Sequence, residues 1–254
     1  MEVPRNRSAA NFGYGFLGLL AFFCAWQWAG KAGTVGPMLP PLSDVVRTLV
    51  DPSTLPALAH SAVYTLSSAA RGLLLGGLLA VLLAVVIHLL PPLRPGLDRL
   101  AVLVNATPPI AIGPILIVVF SRSQTPAVLA GIQVFFLFYV AASSGLAAAS
   151  PALHRAMNGF GANAWKRLCY LELPASLPHL ASGLKAAVAA AFIGAILGEW
   201  FGAPHGLGLV ILNAMQNFQI RLMWAAVVMA AAMSLTAFLM AAALERLVLQ
   251  RFGK

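Results

Sequence analysis

Several ionisable side chains stand inside long apolar stretches of the sequence, where a charge is expensive and normally has a specific task. Arg71 lies in the stretch 61–90, and Glu199 lies near the end of the stretch 180–201. Because a guanidinium group offers paired donors that match planar or tetrahedral oxyanions, Arg71 is a candidate contact for an anionic ligand. The alternative is a structural pairing of Arg71 with Glu199 or with backbone carbonyls. Glu199 is either a gating residue or a carboxylate solvated at a membrane surface, and both roles stay open.

A polar and basic stretch interrupts the C-terminal half of the chain: residues 150–178, SPALHRAMNGFGANAWKRLCYLELPASLP. Ser150 is placed to cap a first helix, which starts with Pro151 at the position where a missing N–H costs nothing. Asn163 is placed to cap a second, short helix that carries Trp165 and two basic residues. The pattern therefore predicts a bent pair of helices held outside the apolar stretches.

Glycine and proline supply the expected breaks in this stretch. Gly159 and Gly161 tolerate positive φ and are expected to interrupt the first helix. Pro174 and Pro178 are expected to stop the second helix and to turn the chain back towards the next apolar stretch. Glu172 is either a partner for basic residues of another protein or simply solvated.

Motifs for nucleotide, metal or nucleophile chemistry are missing from the sequence. There is no G-x-x-x-x-G-K-[ST], so no ATP-binding P-loop is expected. The five histidines show no metal-ligand spacing, and neither a G-x-S-x-G elbow nor a pair of carboxylates on one helix face is present. The sequence predicts a protein that is not an enzyme and that binds no cofactor itself.

Composition places the chain in a membrane. It has 254 residues, of which 60% are hydrophobic and 9% are charged. A soluble domain with so few charges could not cover its own surface. The net charge of +9 would suggest nucleic acid for a soluble protein. In a membrane protein it is typical of loops held inside by Lys and Arg, so we expect the lipid bilayer and no nucleic acid as a partner.

Six apolar stretches approach or exceed the roughly 20 residues that a helix needs to cross a bilayer. They predict an all-α protein with about six transmembrane helices in a single transmembrane domain, residues 1–254. The third stretch carries Pro109 and Pro114, which break backbone pairing and so belong in a bundle interior near a pathway. A short amphipathic helix capped by Ser43 is expected over 43–50. The predicted spans are 12–29, 61–90, 97–120, 126–149, 180–201 and 223–247.

Lysines and arginines between the predicted spans are biased to one side. Ten fall on the side that holds both termini, and four fall on the other. Because cytoplasmic loops carry the excess of basic residues, the N- and C-termini and the stretch 150–178 are expected in the cytoplasm. The ten are Arg5, Arg7, Arg94, Arg99, Arg155, Lys166, Arg167, Arg246, Arg251 and Lys254, and the four are Lys31, Arg47, Arg122 and Arg221.

The spacing inside the polar stretch resembles the EAA loop of ABC-importer permeases. Gly161 is followed after nine residues by Leu171, and then by a Leu-Pro pair. The acidic-Ala-Ala triplet of that family would start at Arg155, and only its central alanine, Ala156, is kept here. In the family this loop is the cytoplasmic coupling helix that docks into a cleft on the ATPase subunit. The resemblance implies the following ATPase-coupling residues: Ala156, Gly161, Ala162, Trp165, Lys166, Leu171, Leu173 and Pro174.

Further stretches resemble the same family over most of the chain. Residues 39–45 are similar to its opening segment, 61–72 to the start of its next span, and 206–208 to the loop after its fifth span. Together they resemble the nitrate/sulfonate/taurine branch of the binding-protein-dependent permeases. The turn after the third span departs from that branch, because residues 120–124 read FSRSQ where an aromatic–glycine turn is usual.

The resemblance implies the type I ABC importer permease fold in a bacterial inner membrane. Two ABC ATPase subunits would bind ATP and Mg²⁺, and this chain would bind neither. A second permease copy or a paralogue, together with an extracytoplasmic substrate-binding protein, would complete the importer. The branch implies a small organic or inorganic anion, such as a sulfonate, taurine or nitrate, although it also includes importers of neutral heterocyclic vitamin precursors. The expected pathway residues are Arg71, Pro109, Pro114 and Glu199.

A secondary transporter that works without an ATPase is the alternative. Its mark would be charged relay residues or helices broken by Gly and Pro in both halves of the chain. Here only the third predicted span is strongly broken, which favours the importer.

Overall fold

The computed structural model describes residues 6–252, with side chains from residue 14 onward, and the regular elements of this part are all helical. A 3₁₀ turn, Pro91–Leu93, precedes α4, and a π-helical turn, Leu168–Glu172, joins α8 to α9. The predicted all-α class is confirmed. The α-helices are α1 (Asn6–Ala32), α2 (Leu42–Val50), α3 (Leu55–Leu89), α4 (Arg94–Ala106), α5 (Pro109–Val119), α6 (Thr125–Leu146), α7 (Pro151–Gly159), α8 (Ala164–Arg167), α9 (Leu173–Glu199), α10 (Leu207–Gln216) and α11 (Ile220–Phe252).

Four helical segments are long and apolar enough to cross a membrane: α3, α6, α11, and α9 taken together with α8. The pair α4 and α5 meets the same standard jointly and is bent by 98°. Five of the six predicted spans therefore have a counterpart. The remaining one, 12–29, lies in α1, which does not meet the standard over its described residues.

The bundle has two ends that serve as reference points below. At the loop end, α3 finishes beside the start of α9, and Ile87, Leu146 and Leu168 share one buried cluster. At the far end, α9 finishes, and Glu199 contacts Thr65 near the start of α3. The helices α7 and α8 therefore lie at the loop end, and α10 starts at the far end.

Helices α3, α6 and α9 form the centre of the bundle, and glycines set how closely they approach. A Cβ added at Gly76 would lie 2.7 Å from Cα of Gly131, and one added at Gly194 would lie 2.6 Å from Cα of Ala130. Lipid tails are as apolar as leucine, so close van der Waals packing holds membrane helices together where exclusion of water cannot. The three helices consequently pack as one unit around the fully buried Val134.

The third predicted span is present but sharply broken. Thr107 and Pro108 have ψ of 123° and 124°, the extended conformation that a residue before a proline favours. The chain starts this span at the loop end, directly after α3, and reaches Ser123 at the far end. There the Tyr64 hydroxyl donates to the Ser123 carbonyl at 3.2 Å. The bent pair therefore crosses from one end of the bundle to the other as a single broken span.

Two prolines do not end the polar stretch as the sequence predicted. Pro174 is the second residue of α9, directly after the π turn, and Pro178 lies inside that helix. The π turn before α9 is the kind of single-turn irregularity that long helices tolerate. The fifth span therefore starts at Leu173 rather than at residue 180. With α8 and the π turn it forms one helical run of 36 residues, Ala164–Glu199.

Helix α2 lies at the far end and is not capped by Ser43 as predicted. Its N-cap position is Pro41, which has no side-chain cap. The Gln27 side chain of α1 instead accepts from the Ser43 N–H at 3.0 Å and donates to Ser43 Oγ at 3.1 Å. An amide from another helix thus takes the role that local sequence assigned to Ser43.

Candidate functional site

The loop that joins α6 to α9 is shaped by two side-chain caps. Ser150 Oγ accepts from the N–H of Leu153 at 3.3 Å, and Asn163 Oδ1 accepts from the N–H of Lys166 at 2.9 Å. Each cap satisfies one of the N–H groups that the start of a helix leaves unpaired. Both predicted caps are confirmed, and α7 begins at Pro151 as the sequence predicted.

The bend between α7 and α8 depends on Gly161. Its φ is +70°, a conformation that favours glycine, and the position of an added Cβ is open space. The N–H of Ala162 donates to the Met157 carbonyl at 3.0 Å and closes the end of α7. Gly159 was predicted to interrupt the helix as well, but it is the last residue of α7. The bend therefore rests on one glycine.

Large aromatic side chains stand exposed on this loop. Phe160 is 88% exposed, Tyr170 is 77% exposed and Trp165 is 62% exposed. The basic residues Arg155 and Lys166 are exposed on the same loop. Aromatic residues and Arg are enriched at protein interfaces, and exposed apolar groups in number normally mark a contact site. These five residues are called the exposed loop surface below.

The eight residues predicted to couple to an ATPase occupy two environments. Ala162, Leu171 and Leu173 are half-buried, and Leu173 packs against the buried cluster at the loop end. Leu173 therefore holds the loop to the bundle. Contact with a partner stays a prediction for the set. The exposed members are Ala156, Gly161, Trp165, Lys166 and Pro174.

Glu172 is buried, contrary to both expectations for it, and only 3% of the residue is exposed. Its Oε2 lies 2.8 Å from Nε2 of His88 in the last turn of α3. Its Oε1 lies 3.7 Å from Nδ1 of His154 on α7. Sequence reasoning missed this cluster, because no local pattern links two residues that are 84 positions apart.

Arg71 lies exposed on α3 and is not paired with Glu199. Its Nε donates to the Ser67 carbonyl at 3.2 Å, and its Nη2 donates to Ser68 Oγ at 3.3 Å. Of the structural alternatives, pairing with a backbone carbonyl is confirmed and pairing with Glu199 is wrong. The guanidinium has more N–H donors than these two contacts use, so donors remain for a ligand.

Glu199 is fully buried at the far end, so its expected solvation at a membrane surface is wrong. Its Oε1 accepts from Thr65 Oγ1 at 2.8 Å, and its Oε2 accepts from the N–H of Gly208 at 2.7 Å. The N–H of Leu207 donates in turn to Thr65 Oγ1 at 2.9 Å. Gly206 has φ of +129°, and a Cβ there would collide with the carboxylate. Glu199 therefore caps the start of α10 and holds it against α3, while a gating role stays a prediction.

The prolines of the broken span lie on another element. Pro109 begins α5, Pro114 lies inside it, and α5 packs on α6 and α9. A Cβ at Gly113 would collide with the Phe201 ring, so α5 rests directly on the segment after α9. No hydrogen bond or ion pair within the described part of the chain joins the four expected pathway residues to one another.

Comparison with known proteins gives the family. Residues 72–252 match the model of a family described as binding-protein-dependent transport system inner membrane component. The chain is 30% identical over 211 residues to a probable ABC transporter permease protein of Haemophilus influenzae, covering 83% of this chain and 86% of the relative. It is 31% identical over 147 residues to the riboflavin transport system permease protein of Chloroflexus aurantiacus, covering 58% and 55%. Relatives of lower identity are named for formylaminopyrimidine, aliphatic sulfonates and taurine.

The fold has a counterpart among solved structures. An inward-facing structure of the MetNI methionine ABC transporter matches this chain with a TM-score of 0.68 at 16% identity, covering 78% of this chain and 99% of that one. At that identity the likeness shows the fold alone, and it confirms the predicted type I ABC importer permease fold. Since the family model spans well over half of its length, this chain belongs to the permeases of binding-protein-dependent ABC transport systems of the inner membrane.

Proposed function

We propose that this permease passes a small solute across the membrane and is driven by a separate ATPase that docks on the loop between α6 and α9. The family decides against a secondary transporter, and its members are transport permeases rather than enzymes. The exposed loop surface is the observation that supports the coupling role. Three aromatic rings more than half exposed on one loop are typical of a face that a partner covers.

The proposal places the loop end and both termini in the cytoplasm. Two ATPase subunits dock there and bind ATP and Mg²⁺, and this chain binds neither. A second permease, either a copy or a paralogue, lies opposite the exposed face of α3 with the pathway between them, because Arg71 would otherwise face lipid at high cost. The far end faces the extracytoplasmic substrate-binding protein.

The loop is built to transmit a displacement. Helix α8, the π turn and α9 form one helical run, so a push on α8 acts directly on a central helix of the bundle. Because α9 packs on α6 through Gly194, and α6 packs on α3 through Gly131, the three helices resist separate movement. In this proposal ATP-driven closure of the ATPases draws two such loops together and opens the pathway outward, and hydrolysis releases it.

A small organic or inorganic anion is the substrate that we propose. Arg71 supports it, because its unused donors suit oxyanions, and relatives are named for aliphatic sulfonates and taurine. A neutral heterocyclic compound is the second candidate. Relatives named for riboflavin and formylaminopyrimidine support it at 31% and 29% identity, against 24% and 23% for the relatives named for aliphatic sulfonates and taurine.

Copurification of an ATPase with the tagged, full-length chain tests the coupling role. Trp165→Ala removes an exposed aromatic anchor, of the kind whose loss at interface hot spots costs about 2 kcal/mol or more. Gly161→Val forces a β-branched residue into positive φ, which costs about 1–2 kcal/mol and distorts the bend. We expect both variants to recover less ATPase per permease than the unmodified chain, at equal amounts in the membrane.

The matched control is Gly159→Val, two residues earlier at the end of α7, without a positive φ and with open space around an added Cβ. It should retain more ATPase than Gly161→Val. An unmodified chain that purifies free of any ATPase would contradict the proposal. So would full ATPase recovery with both Trp165→Ala and Gly161→Val.

A further inference from the structure

We propose that Glu172 is a positioning residue that joins the docking loop to α3, so that a displacement of the loop reaches α3 as well as α9. The inference rests on the proposed function, and it adds a structural link between the docking loop and α3. Glu172 is the last residue of the π turn between α8 and α9, and it is the only acid in the stretch 150–178. At 3% exposure it is not available to a partner protein.

Three elements meet at this carboxylate. His88, in the last turn of α3, places Nε2 at 2.8 Å from Glu172 Oε2, which is a hydrogen bond. His154, on α7, places Nδ1 at 3.7 Å from Oε1, which is an ion-pair contact when the imidazole is protonated. Each carboxylate oxygen therefore faces a different helix. The carboxylate itself is fixed to the base of α9 by the backbone.

The surroundings of Glu172 would accept an apolar residue. Its neighbours Leu168 and Leu173 belong to the apolar cluster at the loop end. A buried carboxylate is tolerated only where partners compensate the loss of water, and replacing such a pair by apolar groups is often neutral or stabilising. Stability alone therefore gives no reason for an acid at this position. The acid is instead explained by the need to orient the two helices that carry His88 and His154.

The route from the loop to α3 explains why a bridge is needed. The backbone joins α8 to α9 directly, but α3 is connected to the loop by no neighbouring segment of chain. Helix α3 carries Arg71 and also Thr65, the partner of Glu199 at the far end. Without the contact at Glu172, a movement of α7 and α8 would reach these groups only through side-chain packing. With it, α3 and α9 are both held at the loop end.

Labelling of a reporter cysteine in the assembled complex tests the inference. The reporter is Ser67→Cys, on the exposed face of α3, in a chain with Cys24→Ser and Cys169→Ser. The complex with its copurifying ATPase is treated with a soluble maleimide, with and without ATP and vanadate. In the reporter chain with Glu172 unchanged, we expect ATP and vanadate to change the labelling rate by about fivefold or more, the lower end of typical allosteric couplings. Glu172→Ala should reduce the change to below about twofold, while the ATPase stays bound and hydrolyses ATP.

Two further variants separate positioning from stability. Glu172→Gln keeps an acceptor and a donor for the two imidazoles, so it should keep the labelling response. His88→Ala removes the α3 partner of Glu172 at a position that does not belong to the exposed loop surface. It should lose the labelling response while ATPase recovery stays that of the background chain. His179→Ala is its control, because that exposed histidine lies on α9 outside the cluster.

The outcomes divide as follows. A full labelling response in Glu172→Ala, or loss of the response in both Glu172→Ala and Glu172→Gln, would overturn the inference. If Glu172→Ala no longer binds the ATPase, the His88→Ala variant gives the test instead. A labelling response retained in His88→Ala would overturn the inference, and a lost response would support it. A background chain that binds no ATPase would contradict the proposed function, and the inference would fall with it.

Discussion

Glu172 and Glu199 are carboxylates that this chain buries at opposite ends of the bundle. Each belongs to the segment that runs through α9, and each contacts a residue of α3, which is His88 at the loop end and Thr65 at the far end. Removing one partner of a buried charge is costly, because the other is left uncompensated. The two acids therefore link the same pair of helices at both ends.

Substitution of Glu199 should lower stability in a graded way. In Glu199→Ala the N–H of Gly208 loses its acceptor, and a buried donor left unpaired costs about 1–3 kcal/mol. The Thr65 hydroxyl can still donate to the Ser61 carbonyl at 3.2 Å, so losing its contact with Glu199 should cost less stability. Glu199→Gln keeps one acceptor oxygen, so its stability should lie between that of Glu199→Ala and that of the unmodified chain. Thermal melting of the purified chain in detergent measures the order.

The Thr65→Val variant serves as the comparison for this network. It removes the hydroxyl at nearly constant volume, and the N–H of Leu207 then loses its acceptor. Since both substitutions affect one hydrogen-bonded cluster, the double variant should lose less stability than the sum of the single losses. Glu199→Ala melting at the same temperature as the unmodified chain would show that the carboxylate does not cap α10.

Arg71 separates the two substrate candidates. For an anionic substrate, Arg71→Gln removes a charge-assisted hydrogen bond of about 1.5–3 kcal/mol, which corresponds to roughly a 10- to 100-fold loss of uptake. Arg71→Lys keeps the charge and should retain part of it. A heterocyclic substrate without charge should be carried almost equally by all three chains. Uptake of labelled taurine and of labelled riboflavin by the reconstituted complex, with its binding protein, measures both cases.

The complex must stay assembled for this comparison. ATPase recovery and the melting temperature of each Arg71 variant are the controls. Undiminished uptake of a transported anion by an assembled Arg71→Gln complex would mean that the contacts to Ser67 and Ser68 are the only role of this side chain.

At the scale of single elements, the sequence predicted correctly those features that depend on residues close together in the chain. The caps at Ser150 and Asn163 each act within three residues, so their sequence signature was sufficient. Pro174 and Pro178 carry a strong breaker signal, but Pro174 directly follows the π turn and Pro178 lies within α9, so neither ends the helical run. The histidine contacts of Glu172 depend on packing between distant segments, and no propensity or periodicity encodes that.

Close packing of α9 on α6 should be sensitive to one methyl group. In Gly194→Ala the new Cβ would lie 2.6 Å from the Cα of Ala130, so backbone must move, at a cost of about 1–3 kcal/mol for overpacking. Gly18→Ala is the matched control, because this helical glycine of α1 has open space at the same position. We expect a lower melting temperature for Gly194→Ala only. Equal melting of the two variants would mean that α9 and α6 are not held in close contact.

At the scale of the whole molecule, the basic side chains that the structure describes on the two sides of the predicted topology lie at the two opposite ends of the bundle. Helices α7 and α8, with Arg155, Lys166 and Arg167, belong to the loop end. Arg221 pairs with Asp44 of α2, which lies at the far end. Because the loop-end segments hold the larger share of Lys and Arg, the positive-inside bias and the exposed loop surface support the same orientation.

This orientation predicts which cysteines an impermeant thiol reagent can reach in intact cells. In a chain with Cys24→Ser and Cys169→Ser, a single cysteine at position 205 should react from outside, because His205 is exposed at the far end beside His60, with ring centroids 4.7 Å apart. Single cysteines at positions 166 and 251 should react only after the membrane is permeabilised, since both are exposed on cytoplasmic segments in the proposed orientation. Positions 166 and 205 lie at opposite ends of one bundle, so their accessibilities must be complementary in a membrane that the chain crosses. Labelling of 166 from outside with protection of 205 would invert the molecule and remove the loop from any cytoplasmic ATPase.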